Sequence, residues 1–326
     1  MHFHKFICNA HGAIKKVDTD GAVNEKLIIR ILEAQFRLMK TIFLVLFFLS
    51  FSITTTSQQL VCSAADSTLA ATKIKMLHHR IQDGATFTET VVTAAHSFLG
   101  TPYVAQTLEI NAKEPLVLNL QGLDCTTFVE NVLALSATAF DVSPTLSIFQ
   151  KNLNTIRYKN GVRDGYASRL HYFTAWIRDN VKKGFVHDIT ETLGGITLQK
   201  SIDFMSTHRN LYPMLKNNEE AFNTILTVEN ELNQETSFCY IPKAAIPAIE
   251  HQLQSGDIIA LVTSINGLDV THTGFIHKTE TGATHLLHAS TSGSVVLSQQ
   301  PLTDYLAQQN KTIGILACRP IQHKAL

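Results

Sequence analysis

One cysteine in this sequence lies where a reactive thiol would be expected. Cys125 directly follows Asp124, a residue type that caps helices well, and it precedes an apolar stripe at helical spacing. The pattern predicts a helix that begins at Cys125. The unpaired N–H groups and the positive dipole end of such a helix favour the thiolate, the reactive form of cysteine. A buried structural cysteine is the alternative.

A thiolate nucleophile needs a base, and two predicted strands can supply one. In the segment 271–277, His272 and Gly274 share one face, and the glycine would let another backbone approach closely. A turn at 281–282 leads to a second strand that carries His288. Adjacent antiparallel strands can place two imidazoles side by side, one as base and one as its orienting group. With 15 histidines in the chain, two strand histidines without a function are the alternative.

The same histidines also permit a metal hydrolase, a different class of enzyme. His272, His288 and Asp257 are residue types that bind zinc, and a metal-bound water would then be the nucleophile. This alternative leaves Cys125 without a role. We therefore favour the cysteine mechanism, which requires no cofactor, and a chelator would separate the two.

The elements that must position these residues change character along the chain. Helices are predicted over 67–81, 88–98 and 124–139, with an extended segment at 116–120. The middle, about 141–235, is predicted to be a helical insertion with helices over 169–181 and 219–232. Strands are predicted over 238–241, 257–262, 271–277, 285–289, 295–297 and 314–319. This order predicts an α+β fold with an antiparallel sheet in one domain, 66–326.

The first 65 residues are interpreted separately from that domain. Residues 39–65 combine a basic start, a short apolar stretch and small residues before Ala65, as in a cleaved secretory signal peptide. The apolar stretch is shorter than the roughly 20 residues of a membrane span, although an uncleaved signal would leave the protein attached to the membrane. Residues 1–38 are an upstream extension of undefined role. We expect an exported, periplasmic protein without stable membrane insertion.

The number of cysteines and the net charge bear on disulfides and on binding partners. Residues 66–326 contain three cysteines, Cys125, Cys239 and Cys318, so an exported protein would keep at least one thiol unpaired. Cys239 and Cys318 lie in apolar runs, and two buried free thiols are favoured over a disulfide. Lys plus Arg equals Asp plus Glu at 27 each, which argues against a nucleic-acid partner. We expect a monomer.

Four short motifs occur together in the order of a known family. They are Leu-Gly-Thr-Pro-Tyr at 99–103, Asp-Cys-Thr-Thr-Phe-Val at 124–129, His-Thr-Gly-Phe-Ile at 272–276 and His-Ala-Ser at 288–290. Over about 88–320 the sequence resembles the NlpC-type cell-wall cysteine peptidases, a papain-like superfamily. The segments 100–109 and 168–173 are similar to a branch associated with N-acetylmuramoyl-L-alanine amidases and formerly catalogued as a domain of unknown function.

The resemblance implies a fold and catalytic roles. It implies a papain-like core in which the nucleophile starts a helix packed on an antiparallel sheet. Cys125 would be the nucleophile, His272 the general base and His288 the group that orients it. Tyr103, at the family's Pro-Tyr position, would line the site. The usual Gly-Gly after this motif is absent, and the segment from Tyr103 to Cys125 is longer than in simpler members, so the wall over 109–119 is not defined.

The resemblance also implies a substrate class, peptidoglycan fragments (muropeptides), with no cofactor. The bond cut would be N-acetylmuramoyl-L-alanine. Glu109, Arg169, His171 and Tyr172 are the candidate substrate-binding residues beside Tyr103, and Arg169 suits a carboxylate. A solvated helix start is the alternative for 168–172. A γ-D-glutamyl-diamino-acid endopeptidase and an inactive muropeptide-binding module are the rival functions, although the module would need a degraded triad.

Overall fold

The computed structural model describes residues 29–40, 59–109, 114–234 and 237–323. The chain divides into two units, Met1–Ser57 and Gln58–Leu326. Residues 29–40 of the first unit are helical. Residues 41–58, most of the predicted signal peptide, lie outside the described ranges. In the ranges that are described, no helix combines the length and hydropathy needed to cross a membrane.

The second unit contains the helices and strands that concern the site. Its helices are α1 (Ala64–Gln82), α2 (Phe87–His96), α3 (Cys125–Ala139), α4 (Leu146–Arg157), α5 (Phe173–Lys182), α6 (Phe204–Thr207), α7 (Pro213–Lys216), α8 (Glu219–Gln234), α9 (Ile246–Ile249) and α10 (Leu302–Ala307). Its strands are β1 (Leu60–Cys62), β2 (Leu116–Leu118), β3 (Val186–Asp188), β4 (Ile196–Gln199), β5 (Ser237–Pro242), β6 (Ile258–Thr263), β7 (Val270–Lys278), β8 (Thr284–Ala289), β9 (Val295–Leu297) and β10 (Thr312–Pro320).

An antiparallel sheet organises the C-terminal part of this unit. Its strand order is β4-β5-β10-β6-β7-β8-β9, and β3 pairs with the end of β10. The α+β class with an antiparallel sheet is confirmed. The short β1 and β2 form a separate parallel pair.

Helix α3, which begins at Cys125, packs on the sheet through Phe128. Phe128, one turn into α3, packs edge-to-face on Phe98, with ring centroids 6.0 Å apart, and on Phe275 of β7, at 5.5 Å. These rings are fully or almost fully buried. Because Phe128 follows Cys125 by three residues, this packing fixes the start of α3 against β7.

Helix α5 begins later than the sequence pattern predicts. The predicted helix over 169–181 starts only at Phe173, and Ser168 does not cap it, since its hydroxyl donates to Gly165 O at 2.7 Å. The cap comes from far along the chain. Oδ2 of Asp269 accepts hydrogen bonds from the backbone N–H and the hydroxyl of Thr174, both at 2.8 Å. A tertiary contact therefore satisfies the helix start, and no local signal marks it.

One further prediction needs correction. The middle segment, 141–235, is not a helical insertion throughout, because β3 and β4 join the main sheet; strands of three and four residues are too short to show a clear alternation. The end of the predicted signal peptide, residues 59–65, lies in the described part of the chain. Strand β1 pairs with β2, and Oγ of Ser63 accepts from the N–H of Asp66 as the N-cap of α1.

A buried ion pair between α3 and α4 generates a stability prediction. Nε of Arg157 lies 2.6 Å from Oε2 of Glu130, and the two side chains are 1% and 2% exposed. Glu130→Ala would leave the guanidinium buried without its counterion, and we expect the free energy of unfolding in urea to fall by about 3–5 kcal/mol. Glu231→Ala is the control, because its pair with Lys159 is 49% and 43% exposed and should contribute less than about 1 kcal/mol. Equal small losses in both variants would contradict the expectation.

Candidate active site

The thiol of Cys125 is half-buried at the first position of α3. Oδ1 of Asp124 accepts from the N–H of Thr127 at 2.7 Å, and the N–H of Asp124 donates to Oγ1 of Thr127 at 3.0 Å, which closes a capping box. Burial raises the pKa of the Cys125 thiol to about 11, and the Asp124 carboxylate acts in the same direction. Hydrogen bonds from the backbone of Thr273 and from Thr126 oppose this rise.

The thiol is therefore protonated at neutral pH, which differs from the thiolate expected from the helix start. Loss of water around the sulfur and the negative charge of Asp124 disfavour the anion. The contributions of Thr273 and Thr126 offset these two effects only in part.

The two histidines predicted to act together are in direct contact. Nε2 of His272 on β7 lies 2.7 Å from Nδ1 of His288 on β8, and the rings are nearly perpendicular at 84°. Burial lowers the pKa of His272 to about 3, with a smaller contribution from His288. Burial also lowers the pKa of His288 to about 4. Both imidazoles are thus neutral at pH 7, so one donates the hydrogen bond and the other accepts it.

Gly274 makes this close approach of the two strands feasible. A Cβ atom at this position would lie 2.8 Å from Leu287 O and 2.9 Å from Cβ of His288. Any side chain here would push β8 away from β7 and so separate His288 from His272. The sequence predicted the close approach, and the structure shows that β8 is the strand that uses it.

Thr273 joins the cysteine to the histidine pair. Its backbone acts on the thiol of Cys125 and opposes the rise in the thiol's pKa, and it lies between His272 and Gly274 in β7. Its hydroxyl donates to Ile259 O at 2.8 Å, which ties this part of β7 to β6. The structure therefore brings Cys125, His272 and His288 to one place. Among the described residues, the hydrogen bond of the His272 ring is the one from Nε2 to His288.

Tyr103 also lies at this site. Its N–H donates to Gly293 O at 2.8 Å, and its backbone forms a bridge with Leu123, two residues before Cys125. The pKa of the half-buried Tyr103 is raised by burial and by the nearby Cys125. These contacts place Tyr103 near Cys125.

Sequence reasoning missed a second tyrosine at the site. The ring centroid of Tyr305, on α10, lies 5.4 Å from that of His288, with the ring planes at 66°. Burial raises the pKa of Tyr305, and Cys125 contributes to the rise. Helix α10 has only six residues, too few for a helical period to mark one face.

Arg169 connects the middle segment to the chain that follows Tyr103. Its Nη2 donates to Oε1 of Glu109 at 2.6 Å, and its Nε lies 3.4 Å from Oε1 of Glu114. The guanidinium is buried. In the described part of the chain, Oε2 of Glu109 and Oγ1 of Thr107 are buried without a hydrogen-bond partner. Polar atoms of this kind usually bind water or a ligand.

His171 and Tyr172 contact the interior of the middle segment. Nε2–H of His171 donates to Tyr166 O at 2.8 Å, and burial lowers the pKa of His171 to about 3. The hydroxyl of Tyr172 donates to Glu229 at 2.7 Å, and this side chain is only 2% exposed. Within the described ranges no contact joins either residue to Cys125.

The third zinc ligand of the metal alternative is engaged elsewhere. Asp257 forms two hydrogen bonds with Arg319, at 2.7 and 2.9 Å. Asp257 directly precedes Ile258 of β6, which pairs with Phe275 of β7. His272 pairs with Leu261, three residues further along β6. In the part of the chain that the structure describes, no group of three or more His, Cys, Asp and Glu residues could hold a metal ion. Cys239 and Cys318 are both free thiols, the first half-buried and the second buried.

A family model and several solved structures match this chain. A family model described as AmiA-like, N-acetylmuramoyl-L-alanine amidase-like, matches residues 93–315. An N-acetylmuramoyl-L-alanine amidase from Bacteroides uniformis is 38% identical in a crystal structure with a TM-score of 0.67, covering 73% of this chain and 100% of that one. A protein from Bacteroides fragilis, provisionally named a xylanase, is 37% identical with a TM-score of 0.66, covering 70% and 99%.

A more distant structure shares the fold alone. A Legionella pneumophila protein of family DUF1460 is 22% identical with a TM-score of 0.60, and the match covers 81% of this chain and 99% of that one. No curated protein sequence matches the chain.

The raised pKa of Cys125 predicts how its alkylation depends on pH. Below the pKa of a thiol, each pH unit raises the thiolate fraction about tenfold, and only the thiolate reacts. We expect the rate of Cys125 alkylation by iodoacetamide to rise about tenfold per unit between pH 7 and pH 9. Mass spectrometry of the Cys125 peptide measures this rate, with the Cys239 peptide as an internal reference. A rate that is constant over this range would show a thiolate already formed.

Proposed function

Since the chain belongs to the family of N-acetylmuramoyl-L-alanine amidase-like proteins, we propose that it is a cysteine amidase that cuts the bond between N-acetylmuramic acid and L-alanine in muropeptides. One observation carries the cysteine mechanism. The start of α3 places a half-buried thiol beside the strand whose His272 is hydrogen-bonded to His288. The likeness of this arrangement to an NlpC-type, papain-like core is part of the proposal.

The proposed reaction begins with a proton transfer. Nδ1 of His272 accepts the thiol proton as Sγ of Cys125 attacks the amide carbonyl carbon. Because the resting thiol is protonated, attack and proton transfer occur together. The N–H of Cys125 or Thr126, at the positive end of α3, stabilises the oxyanion.

The second half of the reaction returns the proton. His272 protonates the nitrogen of L-alanine, the C–N bond breaks, and the lactyl group of the sugar remains on Cys125 as a thioester. Water then attacks the thioester and gives its proton to His272, which restores the thiol. His288 keeps the ring of His272 in place by accepting a hydrogen bond from its Nε2–H.

The chemistry of the site favours an amide over a glycosidic bond, despite the name given to the Bacteroides fragilis protein. Glycoside hydrolysis commonly uses two carboxyl groups on either side of the bond. Asp124, the carboxylate next to Cys125, is engaged in the capping box with Thr127. A thiol with a neutral histidine pair is suited instead to acyl transfer.

We further propose how the substrate is held. Tyr103 offers an aromatic face to the sugar, and Glu109, fixed by Arg169, forms the wall of the cleft with its free Oε2 as an acceptor. His171 packs on the ring of Tyr166, and the Arg169 guanidinium lies over the same ring, 4.9 Å from its centroid. Since peptidoglycan lies outside the cytoplasmic membrane, we propose that the protein is exported and that residues 39–65 are its signal peptide.

Three substitutions test the catalytic roles. Cys125→Ala and His272→Ala should each lower amidase activity at least about 10³-fold, whereas His288→Asn should retain part of it, since an orienting role is partly replaceable. Cys239→Ala is the matched control and should retain full activity. Chelators should have no effect. Activity that persists in Cys125→Ala, or is lost to a chelator and restored by zinc, would refute the cysteine mechanism.

The bond specificity needs its own measurement. The protein is offered a disaccharide-linked tripeptide and the same tripeptide without sugar, and products are identified by mass spectrometry. We expect free sugar and intact tripeptide from the first substrate and no cleavage of the second. Cleavage of the sugar-free peptide between D-glutamate and the diamino acid would establish the endopeptidase alternative. Binding of both without cleavage would indicate a muropeptide-binding module.

A further inference from the structure

Tyr305 contacts the candidate active site, yet neither a motif nor the reaction above gives it a role. It lies on α10 between Leu302 and Leu306, which are fully buried in one core cluster with Leu286 of β8. These leucines anchor the short helix on the strand that carries His288. The Tyr305 ring is held against His288, with centroids 5.4 Å apart and planes at 66°, an edge-to-face contact.

We propose that Tyr305 is a positioning residue whose ring covers His288 and holds this imidazole so that its Nδ1 accepts a hydrogen bond from Nε2 of His272. The inference rests on the function proposed above, because it concerns the same proton transfer.

The need for such a device follows from the two tautomers of the pair. To take the proton of Cys125 at Nδ1, His272 must carry its own proton on Nε2 and donate it to His288 across the 2.7 Å contact. His288 must then be neutral, with its proton on Nε2. If His288 gains a second proton, its Nδ1 becomes a donor. The contact then survives only if the proton of His272 moves to Nδ1, where it blocks the base.

Burial is the feature that keeps His288 neutral, and it lowers the pKa of this residue to about 4. The ionisable groups that face His288 are His272 from β7 and Tyr305 from α10. Cys125 at the start of α3 acts electrostatically on Tyr305. None of these carries a charge at neutral pH. Removing the ring would admit water to His288 and move its pKa back toward the ordinary value near 6.5.

The ring and the hydroxyl of Tyr305 can be separated experimentally. In the described residues the hydroxyl has no hydrogen-bond partner, although Cys125 contributes to its raised pKa. We therefore expect Tyr305→Phe, which keeps the ring, to behave like the unaltered protein. Tyr305→Ala removes the cover. Tyr305→Leu removes the aromatic ring but keeps an apolar side chain that packs around α10. It replaces Tyr305→Ala in the test if the alanine variant does not fold.

The first measurement does not depend on turnover. In protein with ¹⁵N-labelled histidine, NMR gives the tautomer and the titration midpoint of His288. We expect the midpoint to rise by at least about one pH unit in Tyr305→Ala, by less in Tyr305→Leu, and not at all in Tyr305→Phe. Tyr240→Ala is the matched control, because Tyr240 is a half-buried tyrosine of the same sheet, on β5. An unchanged midpoint in both Tyr305→Ala and Tyr305→Leu would overturn the inference.

The second measurement is the pH profile of kcat/KM on the disaccharide-linked tripeptide. In Tyr305→Ala the acid limb should move up by about one unit, so that activity on that limb is about tenfold lower, with recovery to within about threefold at pH 8. An equal loss of kcat/KM in Tyr305→Phe and Tyr305→Ala at every pH would assign the role to the hydroxyl and refute the proposed role of the ring. The two proposals can also fail separately. If the His288 midpoint shifts in Tyr305→Ala but the unaltered protein cleaves no muropeptide, the proposed function is refuted and the role of Tyr305 in positioning His288 is supported.

Discussion

The packing of α3 against β7 is the interaction on which the candidate site depends. Phe128 contacts Phe275 edge-to-face, one turn after Cys125. A helix rises 5.4 Å per turn, so a shift of one turn along this contact would move the sulfur by that distance relative to β7. The capping box of Asp124 and Thr127 fixes where the helix begins. Aromatic packing sets the position of α3 and the cap sets its first residue, and the thiol needs both.

Burial at this contact decides the charge state of the site. It raises the pKa of Cys125 and lowers those of His272 and His288, so all three groups are neutral at pH 7. Before substrate binds, Cys125 and His272 therefore do not form a thiolate–imidazolium ion pair. In the proposed reaction, charge would separate only when the carbonyl of the substrate is present to accept the electrons of the sulfur. The low dielectric that makes the resting ions costly also strengthens the hydrogen bonds that act on the transition state.

Two polar contacts connect the middle segment to the site. Asp269, directly before β7, caps α5 through Thr174, so this helix is fixed to the strand that carries His272. Arg169 pairs with Glu109 on the segment that follows Tyr103. Both contacts are buried or nearly so, and both join residues 60 or more positions apart in sequence. The middle segment is therefore attached to the elements that carry the candidate site.

The sequence alone determined the features that depend on neighbouring residues. The cap at Asp124 and the apolar stripe after it set the start of α3, and the alternation around His272 and Gly274 set β7. Other features needed residues far apart in the chain. The cap of α5 comes from Asp269, Tyr305 reaches His288 only because α10 packs on β8, and the protonation of Cys125 follows from burial. Capping and periodicity are local, whereas desolvation and side-chain contact exist only after distant segments have packed together.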